Sequence, residues 1–137
     1  MMIEKELSCG AIIIDENKIL MIEQNNDLIS FPKGHQEKGE SKKETAIRET
    51  KEETNLDIKI ISEKEYTVSY LVKENIPKDT VFYLAKTTNK KELKPSREEI
   101  RNAFWVPIEG VKELINKESI KIMWDEVLKD IVKNKTK

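Results

Sequence analysis

Glu49, Glu52 and Glu53 stand at i, i+3, i+4 spacing, which on a helix sets three carboxylates on one face. Like charges at that spacing cost about 0.2–0.5 kcal/mol per pair. Glu52 and Glu53 also fall in the last turn before Asn55, where each carboxylate opposes the helix dipole by roughly 0.3–1 kcal/mol. A counter-charge relieves that cost, and hard divalent cations take carboxylate oxygens as ligands. A solvated acidic face is the plainer alternative; the residues upstream weigh against it.

Phe31-Pro32-Lys33-Gly34-His35 is followed by Gly39-Glu40 and Ser41-Lys42-Lys43-Glu44, the punctuation of a phosphate loop that feeds a helix. The last four residues read as a capping box, with Ser41 as N-cap and Glu44 reaching back to its amide. The helix is expected to begin near Lys42 and to stop before Asn55, since asparagine often replaces glycine in a left-handed cap. Its inward face is expected to be Ala46, Ile47, Thr50 and Thr54. So thin an apolar stripe explains such a helix poorly by packing alone.

The stretch resembles the signature of the Nudix hydrolases, G-x5-E-x7-R-E-U-x-E-E-x-G-U with U a bulky apolar residue. Gly34, Glu40, Arg48, Glu49, Glu52, Glu53 and Leu56 match at the correct spacings. Thr50 stands where an aliphatic residue is usual and Asn55 where glycine is usual; every charged position is intact. The resemblance implies an α/β fold, a Nudix-type α/β/α sandwich with a mixed sheet. It also implies hydrolysis of nucleoside diphosphates linked to another moiety, X, with two or three Mg²⁺ or Mn²⁺ ions. Glu52 and Glu53 would be direct metal ligands, Glu49 a ligand or a water-orienting group, and the carbonyl of Lys33 or Gly34 would complete the shell. Arg48 would pair with Glu40 and hold the loop against the helix.

The chain is similar in particular to the asymmetric diadenosine tetraphosphate hydrolases of that family. Phe31 to His35 matches their F/P-P-K-G-H segment, and Arg48-Glu49-Thr50 matches their R-E-T. Ser69-Tyr70, Lys78 and Val81-Phe82-Tyr83-Leu84-Ala85 resemble their N-Y…K-T-V-I-Y-W-L-A segment with a one-residue insertion. The likeness implies that Lys33 and Lys78 meet phosphate, that His35 lies near the scissile bridge, and that Tyr70 stacks on adenine. Tyr83 is a second aromatic candidate for substrate contact. Glu98 and Glu99 are candidates for a downstream metal ligand or general base. In the S-x-E-H…W segment of these enzymes a glutamate precedes tryptophan by six residues, which selects Glu99 ahead of Trp105. Two departures stand out: Ile29 replaces a tryptophan common near the motif lysine, and Asp79 follows Lys78 where threonine is usual. A nucleoside triphosphate or an RNA 5′ end is the alternative substrate, and a non-catalytic nucleotide sensor is the alternative outside enzymes. Sensors of this kind typically lose the motif glutamates.

The 137 residues fit one domain, 1–137. Charged residues make up 37% of the chain, against about 25% in an average domain. The 25 basic and 26 acidic side chains nearly cancel, which argues against a broad nucleic-acid or membrane surface held by charge. No apolar run approaches the ~18 residues of a membrane span, and no basic and apolar blocks of a signal peptide open the chain. Cys9 is the single cysteine, so no internal disulfide is expected and a cytoplasmic setting is the default. Cys9 reads as a small core residue. A small-molecule nucleotide is the expected partner, and the chain is expected to be a monomer or homodimer.

The elements that must position these residues are short strands and two helices. Leu7 to Ile14 and Ile19 to Ile22 read as a hairpin about the turn at 15–18. Ile58 to Ile61, Tyr66 to Val72, Thr80 to Ala85 and Phe104 to Val106 read as further strands, with a polar loop from Lys73 to Asp79. Ile120, Met123, Trp124, Val127, Leu128 and Ile131 follow the helical period and predict a C-terminal amphipathic helix.

Overall fold

The computed structural model describes residues 6–72, 76–89, 92–95, 98 and 100–135, and of 6, 70–72, 76, 134 and 135 the backbone alone. Its elements are β1 (Glu6–Asp15), β2 (Lys18–Gln24), β3 (Ile29–Ser30), β4 (Lys33–His35), α1 (Lys42–Thr54), β5 (Ile58–Ile60), β6 (Tyr66–Val72), β7 (Ile76–Thr87), β8 (Ile100–Pro107), α2 (Val111–Leu114) and α3 (Glu118–Lys135). A 3-10 turn at Ile108–Gly110 joins β8 to α2.

The first hairpin forms because its two-residue loop accepts left-handed backbone. Asp15 pairs with Lys18, and Glu16 and Asn17 between them have φ of 48° and 65°. Two positive φ angles give the turn whose twist matches a right-twisted hairpin. β1 is the hub of the mixed sheet. It runs parallel to β7 from Glu6↔Lys78 to Ile13↔Ala85, antiparallel to β2 at one end and antiparallel to β4 at the other. β5 and β6 add to β7, while β3 and β8 add to β2.

Alternation along β1 then divides the core in two. Ile12 faces the α3 side, where Phe31, Phe82, Trp124, Val127 and Ile131 are buried with it. The Phe31 and Phe82 rings meet edge to face at 5.6 Å. Cys9 and Ala11 face the other way; Cys9 packs with Ala46 of α1, Val81 and Tyr83. Helices on both faces of a mixed sheet make an α/β/α sandwich. No described helix is long and apolar enough to cross a membrane.

Five of these elements differ from the sequence reading. The region Ile76 to Asp79, read as loop, begins the long strand β7. β3, β4 and α2 have no periodic signal in the sequence, and each is four residues or shorter. On α1 the inward residues are Thr45, Ala46, Glu49, Thr50, Glu53 and Thr54; Ile47 is 38% exposed. The helix turns a polar face inward and satisfies it locally. Thr50 and Thr54 hydroxyls donate to the carbonyls of Ala46 (2.8 Å) and Thr50 (2.7 Å), so their methyl groups pack without an orphaned donor.

Candidate active site

α1 is capped as its sequence implies. Ser41 Oγ accepts from the Glu44 amide at 3.1 Å and the Ser41 amide donates to Glu44 Oε1 at 2.8 Å, while Asn55 closes the helix at φ 75°. The caps fix where the acidic face begins and ends. That face does not project into open water: Glu49 and Glu53 are 3% and 4% exposed.

α1 clips β4 at three points. Glu53 Oε1 accepts the Lys33 amide at 2.9 Å. Arg48 Nη2 donates to the His35 carbonyl at 3.0 Å. Between them the Glu49 carboxylate lies so close over Gly34 that any Cβ there would collide with it. Gly34 is therefore required by the approach of a carboxylate, in addition to its place in the motif. β4 is held from the opposite side as well. The Ala11 amide donates to Pro32 O at 3.1 Å, and a side chain at Gly10 would strike Pro32 and Lys33.

Arg48 is the electrostatic centre. Its Nε and Nη2 donate to the two oxygens of Glu40 at 2.6 and 3.0 Å, a bidentate pair. Glu40 also accepts from the Glu37 amide at 3.0 Å and the Thr45 hydroxyl at 2.9 Å. The Arg48 hydrogen bonds, followed by the Glu37 amide, hold the Glu40 carboxyl down at about 2. The same bond to Glu40 raises Arg48. Arg48 Nη1 meanwhile lies 3.3 Å from Glu49 Oε2 and 3.2 Å from Glu52, with Glu37 at 3.7 Å.

One guanidinium thus faces four carboxylates, and Glu53 stands one turn further on. A buried carboxylate is costly without full compensation, so this excess of acid over base fits a hard divalent cation. The donor set, carboxylates beside a glycine cradle, fits as well. No three His, Cys, Asp or Glu side chains among the described residues converge as a ready metal cage. The physical reason is visible: Arg48 holds Glu52 toward itself, while Glu53 is tied to the Lys33 amide.

A cleft of about 310 Å³ opens beside this face. One wall carries Glu49 and Glu53, and the other surfaces carry Lys33, His35 and Lys78. Sheet register places the three basic residues. His35 pairs with Ser8 and Lys33 with Gly10 across β1–β4, and Lys78 pairs with Glu6 across β1–β7. Paired residues share a sheet face, so the odd-numbered residues of β4 look one way while Gly34 looks toward α1.

Tyr83, a candidate for substrate contact, lies instead in the core at 3% exposure. It packs on Cys9 and Ala46, and its hydroxyl donates to Glu65 Oε2 at 2.7 Å. Alternation along β7 turns it to the α1 side, away from Lys78. The Tyr70 backbone pairs with Lys78, but its side chain lies outside the described residues, as does Glu99. Glu98 is in a turn whose carbonyl accepts from Asn25 Nδ2. Ser8, Gln24 and Glu37 also line the cleft, and none was singled out from sequence. A lone serine in the small, apolar run of β1 was the available signal for Ser8.

Comparison with known proteins agrees with this geometry. The chain matches the NUDIX domain model over residues 4–124. It is 34% identical over 86 residues to the methanol dehydrogenase activator of Bacillus methanolicus, across 58% of this chain and 45% of that protein. The matched segment thus spans about half the length of that relative. Among solved structures, a C. elegans Ap4A hydrolase binary complex superposes with TM-score 0.81 at 24% identity, covering 93% of this chain and 98% of that one. A NUDIX hydrolase from Nitrosomonas europaea gives 0.78 at 16% identity, with 93% and 90% covered. The E. coli dihydroneopterin triphosphate pyrophosphohydrolase gives 0.68 at 17% identity, with 88% and 92% covered. At these identities the superpositions establish the fold, and the domain match establishes the family: the chain belongs to the NUDIX domain family.

Proposed function

We propose that this protein is a hydrolase of dinucleoside polyphosphates, with diadenosine tetraphosphate split asymmetrically into ATP and AMP. The observation that carries the reading is the cleft itself, acidic along α1 and basic along the sheet within one 310 Å³ space. A polyphosphate needs both surfaces: ammonium groups to hold its outer oxygens and a metal-binding wall at the phosphorus under attack. Glu49, Glu52 and Glu53 would hold Mg²⁺ or Mn²⁺, which when bound offsets phosphate charge and acidifies a water. Lys33 and Lys78 grip the chain, His35 lies beside the bridge, and the Arg48–Glu40 pair keeps β4 fixed against α1. Glu99 is the proposed downstream metal ligand or general base. With one adenosine stacked on Tyr70, the phosphate chain has a set register and water attacks the fourth phosphorus from that adenosine.

A second reading, hydrolysis of a single nucleoside triphosphate, is favoured by one observation. Ile29 replaces the aromatic residue of the related enzymes and packs against the main core, so this position offers no aromatic ring for stacking. Product analysis separates the two. With diadenosine tetraphosphate and Mg²⁺ in ¹⁸O-water, the expected products are ATP and label-bearing AMP. Two equivalents of ADP would refute the register. Turnover of nucleoside triphosphates with none of any dinucleoside polyphosphate would establish the second reading instead.

A further inference from the structure

Ser8 and Thr80 lie side by side on β1 and β7. Each is 1% exposed, and neither hydroxyl has a hydrogen-bond partner among the described residues. Buried hydroxyls without a protein partner are uncommon and are normally satisfied by ordered water or ligand. Register gives their surroundings. His35 flanks Ser8 on β4, Lys33 lies one row along the same face opposite Gly10, and Lys78 precedes Thr80 by two residues on β7. Ser8 and Lys78 both line the cleft. Two unused donors therefore sit at the centre of the three basic side chains.

We infer that Ser8 and Thr80 form a phosphate-oxygen subsite on the sheet floor, both hydroxyls donating to a non-bridging oxygen of the substrate. The inference rests on the polyphosphate reading above. An anionic oxygen suits the site because hydroxyls can donate as well as accept and the flanking lysines only donate. The two hydroxyls hold one phosphate in register while the α1 carboxylates act on its neighbour, so they are substrate-positioning groups.

The test is calorimetric binding of methylenediphosphonate, which cannot be hydrolysed at its bridge, in the presence of Mg²⁺. The double variant Ser8→Ala/Thr80→Val should bind about tenfold more weakly, equivalent to about 1.4 kcal/mol. Its melting temperature should hold or rise, because the hydroxyls it loses satisfy nothing within the fold. Thr80→Ser keeps the hydroxyl and should bind as the wild type does. Equal affinity in the double variant, a fall in melting temperature that tracks the fall in affinity, or no binding by the wild type would each overturn the inference. Failure of the wild type to cleave dinucleoside polyphosphates would remove that substrate while leaving the calorimetric result standing.

Discussion

α1 and α3 cover opposite faces of the same sheet by opposite means. α3 buries Ile120, Met123, Trp124, Val127 and Ile131, an apolar stripe whose burial is worth roughly 1.5–3 kcal/mol per large side chain. α1 buries two glutamates and three threonines with one alanine. Little of its attachment is hydrophobic. It is held by the capping box, by hydroxyls returned to their own helix, and by the Arg48, Glu49 and Glu53 contacts to β4. The difference shows that the α3 layer is held by apolar burial and the α1 layer by polar contacts, while the cleft draws its acidic wall from α1 and its basic residues from the opposite face of the sheet.

Substitutions on the two helices should therefore fail in different ways. The largest effect is expected at Glu53→Gln. Gln retains an oxygen for the Lys33 amide, so melting should change little. kcat should fall by about 10⁴, roughly 5 kcal/mol, through loss of metal affinity and charge. Steady-state kinetics at saturating Mg²⁺ alongside metal-free melting checks this. A parallel loss of melting temperature and activity would erase the contrast between the helices.

Trp124→Ala on α3 should do the reverse. The indole is fully buried against Phe31, and truncation of such a side chain costs about 3–5 kcal/mol. In denaturant titrations the unfolding free energy should drop by that amount, and the midpoint with it. Turnover per folded molecule, measured well below the new midpoint, should stay within a few-fold.

The third effect sharpens the picture of α1 itself. The Glu40 carboxyl is held down from 4.5 to about 2, chiefly by Arg48. Its contribution to stability is present in full above pH 4.5 and is lost as the pH falls through 2. Glu40→Gln should melt below the wild type at neutral pH, and the gap should close between pH 4.5 and 2. A gap independent of pH would show that the side chain acts through packing and not charge.

Legibility in the sequence followed the kind of force at work. α3 was readable along its whole inward stripe because apolar periodicity reports burial against a core. The ends of α1 were readable because Ser41, Glu44 and Asn55 act locally. Its inward face was readable in part, since Ala46, Thr50 and Thr54 are buried as expected. Ile47 was read as inward but is rotated away, and the burial of Glu49 and Glu53 was not legible because it depends on partners distant in sequence. β4 escaped because a three-residue strand containing glycine carries no alternation; its place is dictated by Gly10 and Gly34, each of which admits a close neighbour. Tyr83 was misread because an aromatic residue in a strand shows its type but not its face. The resemblance named the acidic residues of the site; it did not reveal that Arg48 already holds two of them.

Cys9 gives the α1 layer a consequence of another kind. It is wholly enclosed beneath Ala46 and Tyr83, and burial pushes its thiol up to about 11. A thiol in that state neither ionises nor meets reagent near neutral pH. Because it is the single cysteine, a thiol-reactive dye has one target, exposed only when α1 lifts or the chain unfolds. The rate of labelling is thus a stopwatch for local opening of the α1 layer, built into the native sequence without any added probe.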